Sequence, residues 1–406
     1  MIDMFQPWRM GPIELRNRVI KAATNEGMAK GGVPSRLLVE HHQRIAAGGA
    51  ALTTVAYCAV SPDGRTFEDQ LVLNAGNLRH LRALTDAVHR ENGAVSAQIT
   101  HGGAFCFLPR LSTRCAMSSS SGFYPPGVIA GRPFKRAMTE ADLAQVSTEF
   151  AAGARLARDA GFDAVEIHMG HGYLLSQFIS PAYNKRRDQW GGPSADDRVR
   201  FPVRVLSDVL DAVGRDVAVI CKIGVHEGFK GGGTAEDAVL VAKALERAGA
   251  HLLVLSGGMN AEAPWAIFGS NMPSEVAPEG GAMFRFSNRL MKLWEPEVPF
   301  LESYLRPHSL KVRAGVHMPL AYLGGIRSLE GIRQAAADGF EAVVMGRALI
   351  HNPDFVRELE QGLAAVSGCT SCNRCIPKMY SAGGTRCVLM PESRLELNAV
   401  PADAKA

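Results

Sequence analysis

Before its midpoint the chain reads Ala157-Arg158-Asp159-Ala160-Gly161-Phe162-Asp163-Ala164-Val165-Glu166-Ile167-His168. An Ala- and Arg-rich helical pattern ends at a glycine, which suits a left-handed helix cap, and a short apolar run follows. The same unit recurs at residues 44–58, 246–256 and 336–345. A run such as 218–221, Ala-Val-Ile-Cys, is apolar throughout, which is typical of a parallel strand covered on both faces.

Collecting these runs predicts eight strands, near residues 17–24, 50–58, 94–100, 162–168, 217–223, 251–256, 319–324 and 340–346. Eight strands that alternate with helices make a closed (β/α)8 barrel, the TIM barrel. An open doubly wound sheet is the competing α/β architecture, but no Gly-x-Gly-x-x-Gly follows the first strand. The sequence therefore predicts a TIM barrel over residues 1–362 and a short Cys-rich extension over 363–406.

Two stretches interrupt the repeat, residues 102–138 after the third strand and residues 257–311 after the sixth. The second includes a helix-like piece at 286–293. Loops that follow barrel strands lie at the carboxyl end of the barrel, where TIM-barrel enzymes build their active sites. Both insertions are therefore predicted to cap a pocket.

Composition narrows the function classes. The chain has 406 residues, 47% hydrophobic and 21% charged, which is globular composition. Its 44 Lys and Arg residues are interspersed with 40 Asp and Glu residues, which favours a small-molecule substrate over nucleic acid. No signal-like N-terminus or long apolar run is present, so we expect a cytoplasmic protein without membrane contact, and a homo-oligomer is compatible with the sequence.

Glycines follow the last two predicted strands. Gly324 and Gly325 end the seventh strand, and Gly346 and Arg347 open a helix after the eighth. Taken singly, each of these glycines is as readily explained as an ordinary turn residue as by a phosphate site. Together in the seventh and eighth loops they favour a phosphate site, because backbone N–H groups, a helix N-terminus and an arginine converge on an anion there.

The fourth and fifth strands carry the other candidate side chains. His168, His171 and Tyr173 follow one another at the end of the fourth strand. Two imidazoles can donate hydrogen bonds to one substrate oxygen, and a phenol can act as general acid. A lone histidine there would more often be structural, and no third ligand accompanies the pair for a metal. Lys222 would place a cation in the barrel mouth, which predicts an anionic or electron-rich ligand.

From about Met4 to Arg357 the chain resembles the old yellow enzyme family. The segments that carry the resemblance are Asn17-Arg18-Val19-Ile20, Gln98-Ile99-Thr100-His101, Val165 to His168, Tyr173 to Phe178 and Asn184 to Gly192. The resemblance implies a TIM barrel that binds FMN without a covalent link and takes electrons from NADH or NADPH.

The resemblance also implies roles for single residues. The segment Ala22-Ala23-Thr24 would run beside the flavin ring, with Ala56 nearby. Gln98 would form a hydrogen bond with the pyrimidine edge of the ring. Lys222 would face the N1/O2 side, where the family more usually has arginine, whose guanidinium alone forks across two acceptors. The residues implied for the phosphate are Gly324, Gly325, Gly346 and Arg347.

The implied reaction is reduction of the C=C bond of an α,β-unsaturated carbonyl compound. Hydride would leave N5 of reduced FMN for the β-carbon, His168 and His171 would stabilise the developing oxyanion, and Tyr173 would supply the proton. Two alternatives stay open. One is an FMN-dependent dehydrogenase or demethylase of an amine or saturated substrate, and the other is a non-catalytic flavin electron carrier for a partner protein.

Four cysteines close to the C-terminus, Cys369, Cys372, Cys375 and Cys387, form the pattern C-x2-C-x2-C-x11-C. The pattern resembles the four-iron four-sulfur segment of 2,4-dienoyl-CoA reductases and trimethylamine dehydrogenase. Thiolates at this spacing could also bind a zinc ion, or the four thiols could be free of metal. The sequence leaves these three alternatives open.

Overall fold

A computed structural model describes residues 2–273, 289, 292–293, 295–381 and 383–390. Its centre is a closed barrel of eight parallel strands, which confirms the predicted TIM barrel. The barrel strands are β3 (Val19–Lys21), β4 (Leu52–Ala59), β5 (Ala94–Thr100), β9 (Ala164–Met169), β10 (Ala218–Gly224), β11 (Leu252–Ser256), β12 (Leu320–Leu323) and β13 (Ala342–Met345). Each lies within or close to one of the eight predicted runs.

Helices follow the strands on the outside of the barrel. The longer ones are α1 (Arg36–Ala47), α2 (Leu78–His89), α3 (Glu140–Asp159), α6 (Arg200–Val213), α7 (Ala235–Arg247), α9 (Arg306–Gly315) and α10 (Leu329–Ala337). Shorter helices are α4 (Leu174–Ile179), α5 (Ala195–Arg198), α8 (Pro264–Phe268), α11 (Arg347–His351) and α12 (Phe355–Glu360). No described helix is long and apolar enough to span a membrane.

Local sequence signals explain where these helices begin and end. Thr139 and Asp142 form a reciprocal capping box at the start of α3, which satisfies two otherwise unpaired backbone N–H groups. At the other end of α3, Gly161 has a φ of +89°. A glycine is favoured there because an L side chain would be strained in the left-handed region.

The barrel interior has two layers. The lower layer is apolar and includes Ile20, Leu52, Ala164, Ile220 and Val254, all buried. The antiparallel hairpin of β1 (Trp8–Met10) and β2 (Ile13–Leu15) closes it from below with Met10 and Leu15. Above this layer, Gln98 on β5, Glu166 on β9 and Lys222 on β10 are buried polar residues of the barrel strands. This polar upper layer places the candidate site at the carboxyl ends of the strands.

Both predicted insertions follow barrel strands. Residues 102–138 form a three-stranded sheet of β6 (Ala116–Ser118), β7 (Gly122–Phe123) and β8 (Phe134–Ala137). This sheet lies against α4, where Ser119 donates a hydrogen bond of 2.8 Å to the carbonyl of Gln177. The described part of 257–311 includes α8 and the start of α9. The helix-like piece predicted at 286–293 lies largely outside the described residues.

Candidate active site

A cleft of about 670 Å³ opens at the carboxyl ends of the barrel strands. Its lining combines residues that lie far apart in the sequence. The predicted site residues among them are Ala22, Ala23, Thr24, His171, Lys222, Gly325, Gly346 and Arg347. Strand closure alone brings them together, because β3 and β13 are neighbours in the barrel although they lie at opposite ends of the chain.

Lys222 lies at the floor of this cleft within a buried polar group. Gln98 on β5 donates a hydrogen bond of 2.6 Å from Nε2 to Oε1 of Glu166 on β9, and Glu166 and Lys222 attract each other electrostatically. Burial lowers the pKa of Lys222 and raises the pKa of Glu166, while their mutual attraction opposes both shifts. Glu166 therefore links the two predicted flavin-contacting side chains, Gln98 and Lys222.

Our sequence reading missed Glu166. Strand alternation could have identified it, because Glu166 has the same parity as Ala164 and His168 and must therefore point into the barrel. A carboxylate inside a barrel needs a partner, and Lys222 on the adjacent strand is one.

The structure brings His168, His171 and Tyr173 together. The rings of His168 and His171 have centroids 5.0 Å apart, and the ring of Tyr173 lies 4.6 Å from that of His168. His171 Nε2 lies 2.7 Å from the hydroxyl of Ser256, which also lines the cleft. His171 has a φ of +60°, a backbone conformation that is uncommon outside glycine and concentrates at functional sites.

Both imidazoles are neutral at pH 7. Burial lowers the pKa of His168 and of His171 well below 6.5, and the nearby charge of Lys222 lowers both further. The backbone N–H of Gly170 donates to Nδ1 of His168 at 3.2 Å. In a neutral ring the proton is then on Nε2, so His168 keeps a hydrogen-bond donor for a ligand.

Tyr173 lies buried between other aromatic rings. Its ring is 5.2 Å from that of Tyr57 and 5.9 Å from that of Phe105. Burial raises the pKa of Tyr173, and hydrogen bonding with Tyr57 and Asn260 opposes this shift. A phenol with a raised pKa stays protonated at neutral pH and can act as a proton donor. The sequence did not identify Tyr57, which lies on β4, or Asn260, which follows β11, as partners of Tyr173.

On the opposite side of the cleft, two arginines flank the ring of Phe300. The guanidinium carbons of Arg327 and Arg347 lie 5.2 and 5.3 Å from its centroid. Arg347 donates to the carbonyl of Phe268 at 2.7 Å and to Oδ1 of Asn373 at 2.6 Å. Its predicted phosphate contact would therefore compete with these protein acceptors, and the role stays a prediction.

Arg327 is a second cation at this end of the cleft that our sequence reading missed. It lines the cleft, and its buried Nε has no hydrogen-bond partner among the described residues. A buried donor without an acceptor is costly unless a ligand satisfies it. Arg327 follows Gly325 by two positions, in the loop where the glycines predict a phosphate site.

The remaining predicted flavin-site residues lie nearby. Ala56 is buried on β4 beside Tyr57, and Gly324 directly precedes the cleft-lining Gly325. The cleft fits FMN chemically, since a buried lysine lies at the barrel floor and an unsatisfied arginine donor lies at the phosphate end. Lys222 and Gln98 would hold the ring, and Arg327 with the backbone at Gly325 and Gly346 would hold the phosphate.

The four C-terminal cysteines line one further cavity, of about 280 Å³, next to Arg347 and Asn373. Cys369 and Arg347 line both this cavity and the cleft. Within the described part of the chain, no three His, Cys, Asp or Glu side chains are placed to hold a single metal ion. The structure therefore supports neither a zinc ion nor an iron-sulfur cluster at these cysteines.

Comparison with known proteins identifies the family of the chain. Residues 3–263 match the family model described as NADH:flavin oxidoreductase / NADH oxidase family. The chain is 39% identical over 400 residues to the 4,4'-dithiodibutanoate disulfide reductase of Rhodococcus erythropolis, covering 95% of both chains. It is 29% identical to the NADH oxidase of Thermoanaerobacter brockii and spans 56% of that longer relative.

Among solved structures, the old yellow enzyme homologue from Zymomonas mobilis has the same fold, with a TM-score of 0.72 and 21% identity over 93% of this chain and 98% of that one. The chain thus belongs to the NADH:flavin oxidoreductase / NADH oxidase family, the FMN-dependent NAD(P)H oxidoreductases of the old yellow enzyme type.

Proposed function

We propose that this oxidoreductase reduces the C=C bond of α,β-unsaturated carbonyl compounds with NADH or NADPH. The observation that carries the proposal is the group of two neutral imidazoles and one protonated phenol at the edge of the cleft. FMN bound in the cleft would supply the hydride. The residues would position the substrate and supply the proton.

His168 and His171 would bind the carbonyl oxygen through N–H donors. Negative charge develops on this oxygen as the double bond is reduced, so donors placed there stabilise the transition state more than the ground state. Both rings are neutral, and a neutral imidazole still carries one N–H that can donate to this oxygen. Tyr173 would then protonate the α-carbon through its hydroxyl.

A second candidate is reduction of a small-molecule disulfide, which the 39% identical Rhodococcus erythropolis relative favours through its name. Two electrons and two protons convert one disulfide into two thiols, so the S–S bond breaks and each sulfur gains a proton. Tyr173 could protonate a leaving thiolate. The amine or saturated-substrate alternative has less support, because an amine offers no oxygen for the two imidazoles.

The substrates can be separated in one anaerobic experiment. The enzyme is reduced with NADPH or NADH, and the flavin absorbance is followed after mixing with 2-cyclohexenone or with 4,4'-dithiodibutanoate. Rapid reoxidation by the enone, with formation of cyclohexanone, is the expected result. Reoxidation by the disulfide alone would replace the first candidate with the second, and reoxidation by neither would reject both.

For the cysteine segment we propose a four-iron four-sulfur cluster rather than a zinc ion. All four cysteines line one cavity, although no three described ligands converge on a single ion, and a cluster spreads its thiolates around several iron atoms. Iron and acid-labile sulfide analysis of anaerobically purified protein should find about four of each per chain. Stoichiometric zinc or metal-free thiols would refute the cluster.

A further inference from the structure

The cysteine segment packs onto the loop that follows β3. The backbone N–H of Thr385 donates to the carbonyl of Glu26 at 2.7 Å, and its hydroxyl donates to the carbonyl of Asn25 at 2.6 Å. A Cβ added at Gly27 would lie 1.9 Å from the carbonyl oxygen of Met379, so the two backbones are in direct contact. The segment therefore covers the residues next to Thr24, which lines the cleft.

This packing places Tyr380 beside the candidate active site. Tyr380 ends a short 3-10 helix, Ile376–Tyr380, that begins directly after Cys375. Its ring lies 5.5 Å from that of Phe67, in an edge-to-face arrangement. Burial raises the pKa of Tyr380, and the charge that Tyr57 would carry on ionisation raises it further, so the two phenols lie near each other.

A continuous set of rings joins Tyr380 to Tyr173. Phe67 stacks on Phe107 at 5.6 Å, Phe107 meets Phe105 at 4.9 Å, and Phe105 meets Tyr173 at 5.9 Å. We call Tyr57, Phe67, Phe105, Phe107 and Tyr380 the aromatic wall. Each of the five residues is partly exposed. The rings of Phe67, Phe105, Phe107 and Tyr380 form a chain of contacts, and Tyr57 contacts Tyr173. Partly exposed aromatic rings beside a buried proton donor offer a surface to an apolar or conjugated ligand.

We propose that Tyr380 is a substrate-contacting residue and that the aromatic wall selects planar, conjugated or aromatic substrates over aliphatic ones. This inference rests on the proposed function, because it assumes a substrate bound at Tyr173. It also gives the cysteine segment a direct role in the active site. Cys375 is the N-cap residue of the short helix that ends at Tyr380.

The test compares two enals that differ in their substituent, cinnamaldehyde and crotonaldehyde. Their dissociation constants for the oxidised holoenzyme are measured by titration calorimetry, together with kcat and KM. The wild type should bind cinnamaldehyde more tightly. Tyr380→Ala should weaken cinnamaldehyde binding about tenfold, since an aromatic contact contributes on the order of one factor of ten, and should change crotonaldehyde binding less than about threefold.

Two further variants separate contact from misfolding. Tyr380→Phe keeps the ring and should bind both enals within about twofold of the wild type. Phe123→Ala truncates a ring on β7 that is 60% exposed, and it serves as the matched control, for which no effect is expected. Equal loss for both enals, or no loss for cinnamaldehyde in a Tyr380→Ala protein that retains its flavin, would overturn the inference.

Failure of the proposed function gives a different pattern. If the wild type neither binds nor reduces enals, the same variants are compared with 2,2'-dithiodibenzoate and 4,4'-dithiodibutanoate, an aromatic and an aliphatic disulfide that both carry carboxylates. Selective loss of the aromatic disulfide in Tyr380→Ala would support the aromatic wall without enal reduction. No selectivity in the wild type for either pair would reject it.

Discussion

At the scale of single residues, Tyr173 combines a raised pKa with a position against His168. Its hydroxyl is the protonated oxygen that the proposed reaction needs after hydride transfer, and its ring also belongs to the packing around Tyr57. A substitution that removes only the hydroxyl therefore separates proton donation from packing.

We expect Tyr173→Phe to lower kcat for enone reduction by roughly 100-fold, because loss of a general acid removes that order of rate enhancement. Stopped-flow measurement of the two half-reactions checks this. Reduction by NAD(P)H should keep its wild-type rate in the same variant, since no proton from Tyr173 is needed there. An unchanged rate of enone reduction would show that another group supplies the proton.

Lys222 and Glu166 show how the barrel interior holds charge. The two residues are buried on neighbouring strands, and their opposite charges attract each other. Gln98 donates a hydrogen bond to the carboxylate of Glu166. Truncating one partner would leave the other buried and unpaired, which is far more costly than the pair itself. Substitutions at Glu166 are therefore expected to affect both flavin-facing side chains at once.

At the scale of elements, the loop after β10 is tied to the end of α4 by one carboxylate. Oε2 of Glu227 accepts hydrogen bonds of 2.8 Å from the hydroxyl of Ser180 and from the backbone N–H of Gly233. Burial raises the pKa of Glu227 to about 7. The folded protein therefore holds a proton on Glu227 in a pH range where the unfolded chain has lost it.

This shift predicts a pH-dependent contribution to stability. The contribution of Glu227 is fully present below the unfolded pKa of about 4.5 and is lost as pH rises through the folded pKa of about 7. Glu227→Gln keeps an acceptor but cannot ionise. The free energy of unfolding of the variant, relative to the wild type, should increase by about 2–3 kcal/mol between pH 5 and pH 8.

Urea unfolding of both proteins at pH 5 and at pH 8 measures this difference. The comparison within each pH cancels the titration of the other groups, because they are the same in both proteins. A constant difference between Glu227→Gln and wild type across this range would contradict the raised pKa.

At the scale of the whole molecule, the cleft joins a cation inside the barrel to an arginine pair above β12 and β13. A ligand with an anionic end that binds the folded state and not the unfolded chain stabilises the folded state. At 100 times its dissociation constant, FMN should add about 2.7 kcal/mol to the free energy of unfolding of the apoprotein. Riboflavin, which lacks the phosphate, should add clearly less at the same concentration.

Thermal unfolding of apoprotein with each flavin checks this prediction. Arg327→Gln should reduce the effect of FMN and leave that of riboflavin unchanged, since only the phosphate needs the guanidinium. Equal stabilisation by riboflavin and FMN in the wild type would show that the glycine loops and Arg327 do not bind a phosphate.

The sequence alone was sufficient to predict the barrel and many of the residues that line the cleft. Helical periodicity, a glycine and a buried apolar run are local signals, and their repetition predicted all eight barrel strands. Because parallel strands end at one edge of a closed barrel, reading their last residues also predicted that His171, Lys222, Gly325 and Arg347 would share one cleft.

Only the tertiary structure revealed the partners of these residues. Gln98 meets Glu166 across 68 positions of the chain. Tyr380 meets Phe67 because the cysteine segment packs onto the loop that follows β3. Such contacts have no local pattern, since they depend on barrel closure and on loop conformations that bring distant side chains within a few ångströms. The physical reason is that hydrophobic periodicity encodes which face is buried, whereas the identity of the neighbour on that face depends on the completed packing.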